Sequence, residues 1–201
     1  MKRMIRYRLL AVVGLALAGC ASNASRAELI KDRSESNRKD VFIEVNEKGV
    51  VPKAYADLVI EASIKTHAEG YYLFEPRDSL HGKPDYPFLL NIDGQAVIWK
   101  IDGREETAPR YTPSGEKNPE GGTGIKYLLR KKVRLAPGSH RVSSGLPGES
   151  YISEFAITLK EERTYVLAFE PVYRWQGKKR SLLFTGGLRR YERSFTEIHP
   201  E

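Results

Sequence analysis

The sequence predicts an all-β domain built as an antiparallel β-sandwich, and three observations predict it. Apolar residues beyond position 40 recur at every second place, Gly and Pro punctuate the chain at short intervals, and no stretch sustains a long helical period. Such a pattern gives about eight to ten short strands packed around one core.

The elements follow in order. Val41-Phe42-Ile43-Glu44-Val45 reads as a short strand with alternating faces. Leu58, Ile60, Ala62 and Ile64 alternate with Val59, Glu61, Ser63 and Lys65. Leu58, Ala62 and Lys65 also carry helical spacing, but the density of β-branched residues favours a strand. Tyr71-Tyr72-Leu73-Phe74 is a further apolar run, closed by Pro76. Phe88 to Ile92 and Gln95 to Ile101 flank Asp93-Gly94, a hairpin cue because both turn residues take positive φ. Asp102-Gly103 repeats the spacing and predicts a second turn of a meander. These aspartates lack the other ligands of a calcium loop, so they read as turn chemistry.

Residues 103–124 form a long loop with three prolines and five glycines. In Ile125 to Leu135, one face takes Ile125, Tyr127, Leu129, Val133 and Leu135, with Lys131 the exception. The other takes Lys126, Leu128, Arg130, Lys132 and Arg134. Pro137-Gly138 turns the chain into a strand through His140 and Val142, and Phe155, Ile157 and Leu159 alternate through the next. Thr164 to Phe169 is apolar on both faces, as a central strand would be. Ser181 to Thr185 and Leu188 to Phe195 make a last hairpin around Gly186-Gly187.

The N-terminus has a different logic. Lys2, Arg3, Arg6 and Arg8 precede the apolar run Leu9 to Ala18, and the small residues Ala18 and Gly19 follow, which is secretory-signal anatomy. The run is shorter than the ~20 residues a membrane-spanning helix needs. A twin-arginine pair is lacking, so general secretion is the expected route. Leu17-Ala18-Gly19-Cys20 resembles the lipobox of bacterial lipoprotein precursors. The resemblance implies that residues 1–19 are a cleaved signal peptide and that Cys20 carries diacylglycerol and an N-acyl chain such as palmitate. Ala rather than Asp at position 21 implies sorting to the outer membrane of a diderm cell. Residues 20–40, rich in Ser, Asn and charge, then read as a flexible tether with a reach of roughly 25 Å. Residues 41–201 are left as one domain of about 160 residues, enough to bury a core.

Charge is reread accordingly. The chain has 33 Lys and Arg against 26 Asp and Glu, but four of the basic groups lie in the signal, leaving a mature net charge of about +3. The balance is partly a targeting feature and gives no nucleic-acid footprint. Cys20 is the only cysteine, which removes disulfides, cysteine metal sites and thiol catalysis.

Ile101-Asp102-Gly103 followed by Val133-Arg134-Leu135-Ala136-Pro137-Gly138-Ser139-His140-Arg141-Val142 resembles PEGA-type extracytoplasmic modules over residues 88–160. What this implies is an immunoglobulin- or transthyretin-like sandwich that binds or supports without chemistry of its own.

The sequence holds no nucleophile elbow, H-E-x-x-H helix, phosphate loop or dinucleotide fingerprint. His67, His81, His140 and His199 are isolated from one another and meet only through the fold, so no catalytic residue and no metal site is assigned. The only cofactor expected is the covalent lipid. Candidate binding residues fall in three groups. Arg104, Arg110 and Tyr111 could form a recognition tip in the long loop, or belong to a mobile insertion without a partner. Lys126, Arg130, Lys132 and Arg134 make a line of cations suited to an anionic glycan or lipid headgroup. The same line also reads as a solvated face neutralised by acids such as Glu154 and Glu170. Arg174 and Trp175 could stack on sugar rings or grip phosphate, or simply cap the domain. The expectation is a non-catalytic, lipid-anchored envelope module that binds a protein partner or anionic glycan, or serves as a structural subunit. The alternative is an enzyme processing envelope polysaccharide or peptide through a carboxylate site assembled by the fold.

Overall fold

The computed structural model describes residues 38–46, 49–149, 151–176 and 181–198. The expected signal peptide, Cys20 and nearly all of the expected tether lie outside the described residues, as does His199. The domain is all-β. Eleven strands are described: β1 (Phe42–Glu44), β2 (Ala56–Thr66), β3 (Asp85–Ile92), β4 (Gln95–Ala108), β5 (Gly122–Leu135), β6 (Gly138–Leu146), β7 (Tyr151–Leu159), β8 (Thr164–Tyr173), β9 (Trp175–Gln176), β10 (Ser181–Leu182) and β11 (Leu188–Ile198).

Nine of them form one sheet in the order β11-β8-β2-β5-β4-β3-β6-β7, with β1 also on β5. This corrects the expected antiparallel sandwich. The sheet is mixed, because β2 and β8 run parallel, and it is nearly closed into a barrel. The two ends of the sheet, β7 and β11, meet through side chains: Tyr151 packs edge-on against Tyr191 at 5.4 Å, and the Arg193 guanidinium sits over the Phe155 ring at 4.2 Å. Tyr86, Phe88, Leu90, Leu58, Ile60, Tyr127, Leu135 and Phe169 fill the interior.

The strand alternation in β5, β6 and β7 is as the sequence predicts, and so is the Asp93-Gly94 turn, where φ is 48° and 93°, whereas β2 is a strand as expected but is buried on both faces. Four local expectations are corrected. Asp102-Gly103 is not a turn, since β4 runs straight through it, pairing with β3 up to Asp102 and with β5 from Gly103 on. Gly103 is there because a Cβ would lie 2.6 Å from both Ile125 and Tyr127. The final hairpin is also replaced: β10 pairs with β9, while β11 pairs with β8. Finally, Tyr71 to Phe74 is exposed loop and not a strand. With β4 reaching Ala108 and β5 beginning at Gly122, the expected 103–124 loop shrinks to residues 109–121, braced by a bridge between Tyr111 and Lys117.

The register gives the barrel two distinct poles. One carries the chain entry, the Asp93-Gly94 turn and the β5–β6 turn. There Val41 and Phe42 donate backbone N–H groups to Gln95 Oε1 at 2.8 and 3.0 Å, and Arg38 donates to the Asp93 carbonyl at 2.9 Å. The other pole gathers the end of β2, the start of β3, the β4–β5 loop, the β6–β7 connection, the end of β8 and the start of β11.

Candidate functional site

At this second pole the 18 residues between β2 and β3, numbers 67–84, double back over the strand ends. The segment is held at its base, where Gly82 N donates to Thr66 Oγ1 at 3.0 Å and Thr66 Oγ1 donates to the His67 carbonyl at 3.1 Å. Together with the short 3-10 turns Pro147–Glu149 and Phe184–Gly186 it walls a cleft of about 530 Å³. Tyr72 crosses its mouth and donates its hydroxyl to the Thr185 carbonyl at 3.0 Å.

His67, Glu75, His81 and Glu149 converge on that cleft. His67 leaves the end of β2 buried, stacked on Tyr71 and edge-on to Tyr72, with ring centroids 5.2 and 5.0 Å away. Its Nδ1 lies 2.9 Å from the Ala68 carbonyl, which only accepts, so this nitrogen carries the hydrogen. Its Nε2 lies 2.9 Å from His81 Nδ1 and 3.5 Å from Glu75 Oε1. His81 Nε2 is 2.6 Å from Glu149 Oε1. Glu149 is fixed in turn, because Leu188 N donates to its Oε2 at 2.9 Å and the Tyr86 hydroxyl to its Oε1 at 3.4 Å. Burial first, and the charge of Glu149 second, push the Tyr86 phenol well above its usual range, so it remains a donor. Glu75 is oriented by Ser79 Oγ, which donates to it at 2.5 Å. Few of these contacts are between neighbours in sequence. The network therefore depends on the barrel bringing the end of β2, the start of β3, the β6–β7 connection and the start of β11 to one pole.

The predicted binding residues are placed as follows. Arg110 and Tyr111 line a second recess of about 440 Å³ beside the cleft, sharing Thr185 with it. Arg104 lies exposed on β4, paired in register with Lys126. The basic line on β5 is matched by carboxylates: Lys126 pairs with Glu120, Arg130 with Glu61, and Lys132 and Arg134 both grip Asp57. Arg141 pairs with Glu154 at 2.6 Å. Arg174 lines the cleft and donates Nε to the Leu188 carbonyl at 3.1 Å. Trp175 sits on β9 opposite Leu182, its side chain outside the described residues. The fold thus brings Arg110, Tyr111 and Arg174 to the cleft pole and leaves the β5 cations on the barrel wall. Sequence reasoning missed Glu75 and Glu149 altogether. It named His67 and His81 only as histidines that the fold would have to join. The signal present in the chain was the long 67–84 segment itself.

No family model, curated protein or solved structure matches this chain.

Proposed function

We propose that the chain is a lipid-anchored cell-envelope lipoprotein whose barrel is a non-catalytic binding module, presenting the cleft pole to a protein partner. The observation that carries this reading is the rim of the cleft. Tyr71, Tyr72, Leu73 and Phe74 expose four large apolar side chains in succession, with Leu73 90% and Phe74 91% accessible. A contiguous apolar patch beside a polar cleft is what a partner-binding surface looks like. Covering Leu73 and Phe74 would contribute about 3–6 kcal/mol of hydrophobic stabilisation. The poles support the same orientation. The tether would join the barrel at the end opposite the cleft, so the cleft faces away from the lipid by up to roughly 35 Å, the length of an 11-residue strand. An anionic glycan or headgroup is the weaker partner, because the cations of β5 already have carboxylate partners.

The test is photocrosslinking from position 74 in membranes of the producing cell, with Cys20→Ala as the anchor control. A discrete crosslinked protein that disappears in a Leu73→Ser variant is expected, and Cys20→Ala is expected to leave the detergent phase. No crosslink from position 74 would overturn the partner surface, and unchanged phase partitioning would overturn the anchor.

A second reading, an enzyme acting on envelope polysaccharide or peptide, is favoured by one observation: two histidines and two glutamates converge in one concave site. Release of fragments from purified envelope polymer, abolished by Glu149→Gln, would replace the binding reading.

A further inference from the structure

We propose that His67 Nε2, Glu75 Oε1 and His81 Nδ1 bind one divalent transition-metal ion, zinc by the chemistry of the donors, on the wall of the cleft. These three atoms all lie within 4.8 Å of one another. Zinc ligands at about 2.0–2.1 Å in tetrahedral array sit roughly 3.4 Å apart. The pair His67–Glu75 is already at 3.5 Å, and the pair His67–His81 at 2.9 Å needs only to open slightly.

The surrounding hydrogen bonds are those a metal site requires. A ligating imidazole has its other nitrogen held as a donor to a carbonyl or a carboxylate, which fixes the tautomer and the ring plane. His67 Nδ1 is held by the Ala68 carbonyl and His81 Nε2 by Glu149, and Glu149 is itself anchored from β3 and β11. The remaining nitrogens of both rings thus lie close to one another and to a carboxylate oxygen of Glu75, which Ser79 steadies. With that outer nitrogen of His67 carrying a hydrogen, the close approach of two ring nitrogens needs a hydrogen between them. An ion in that place satisfies both lone pairs at once and adds Glu75.

The charge count agrees. Two carboxylates, one ligating and one behind His81, balance a dication in a site where His67 is 3% and Glu149 4% exposed at the side chain. Two imidazoles and one carboxylate suit zinc, with copper and nickel the competitors, and disfavour calcium and magnesium. Three protein ligands leave a fourth position for water or for a donor atom of whatever enters the cleft.

The inference stands whether or not Cys20 is lipidated and whether or not the apolar rim binds a protein. Its test is therefore separate from the crosslinking experiment. The full chain is purified in detergent, stripped with a chelator and titrated with zinc by calorimetry, with cobalt as a spectroscopic probe. One equivalent is expected, and cobalt should give the strong visible absorption of a four-coordinate site. Glu75→Ala and His81→Ala should each weaken zinc binding beyond the ~10–100-fold loss expected of Glu149→Gln, which acts only through His81. His140→Ala, which removes the imidazole held by Asp93 and the Ala136 carbonyl at the other pole, should leave the affinity unchanged. Circular dichroism checks the fold, and Glu75→Ala, at a loop residue, serves if His81→Ala does not fold. Failure of the wild-type chain to take up zinc stoichiometrically overturns the proposal. So does uptake that Glu75→Ala leaves intact.

Discussion

Asp57→Asn removes one negative charge from the wall of the barrel and leaves two positive ones behind. Asp57 is fully buried at the start of β2. Its carboxylate accepts from Arg134 Nε at 2.7 Å, Arg134 Nη2 at 2.9 Å and Lys132 Nζ at 2.8 Å. The Lys132 and Arg134 side chains are only 6% and 18% exposed, so water replaces little of what the carboxylate gives them. Breaking a buried pair by removing one partner costs about 3–5 kcal/mol. In a domain of this size that is a fall of roughly 6–20 °C in Tm. Burial alone would raise the Asp57 carboxyl, but the hydrogen bonds from Arg134 and Lys132 outweigh it and hold it below the usual carboxylate range. Its folded value is thus below its unfolded value of about 3.9. The stabilisation is complete above that unfolded value and disappears as pH falls through the folded one. Urea unfolding of the full chain across pH should therefore show the Asp57→Asn deficit at pH 7 and a narrowing gap below about pH 3.9. A variant as stable as the parent at pH 7 would refute the clamp.

Two other perturbations test the packing behind the site. Lys65→Met removes a buried ammonium that donates to Glu106 and to the Glu120 and Gly122 carbonyls. Leaving those acceptors behind should cost about 1–3 kcal/mol in chemical denaturation, and a neutral result would mean that water replaces the lysine. Gly103→Ala forces a Cβ against Ile125 and Tyr127 and should cost about 1–3 kcal/mol by the same measurement; an unchanged midpoint would show that β4 bends freely there.

The all-β class was legible because a strand with one face buried writes its alternation directly into the chain, as β5 does from Tyr127 to Leu135. Asp93-Gly94 was legible because its turn needs positive φ, which only a few residues supply. The identical dipeptide Asp102-Gly103 was misleading, because Gly103 is required for the close approach of β5 and not for a turn. Tyr71 to Phe74 misled in the opposite way: apolar residues on a rim and in a core look alike in one dimension. The partners of the β5 cations were hidden, since Asp57 and Glu61 become neighbours of that strand only once the register with β2 is set. The histidine and glutamate cluster was hidden for the same reason. Its members come from the β2–β3 loop and the β6–β7 connection, which the antiparallel pairing of β3 with β6 brings to one pole, and their spacing follows no short motif.

The parallel pairing also sets a timetable. Asp57 finds its neighbour Thr164 more than a hundred residues later, so β2 at the centre of the sheet keeps one edge bare until β8 has been delivered. Contacts of such long sequence separation slow folding, because chain entropy is lost before pairing rewards it. A chain that emerges from its N-terminus cannot close this barrel early. The same delay leaves a truncated copy with an unpaired apolar strand, the form that proteases and aggregation remove first.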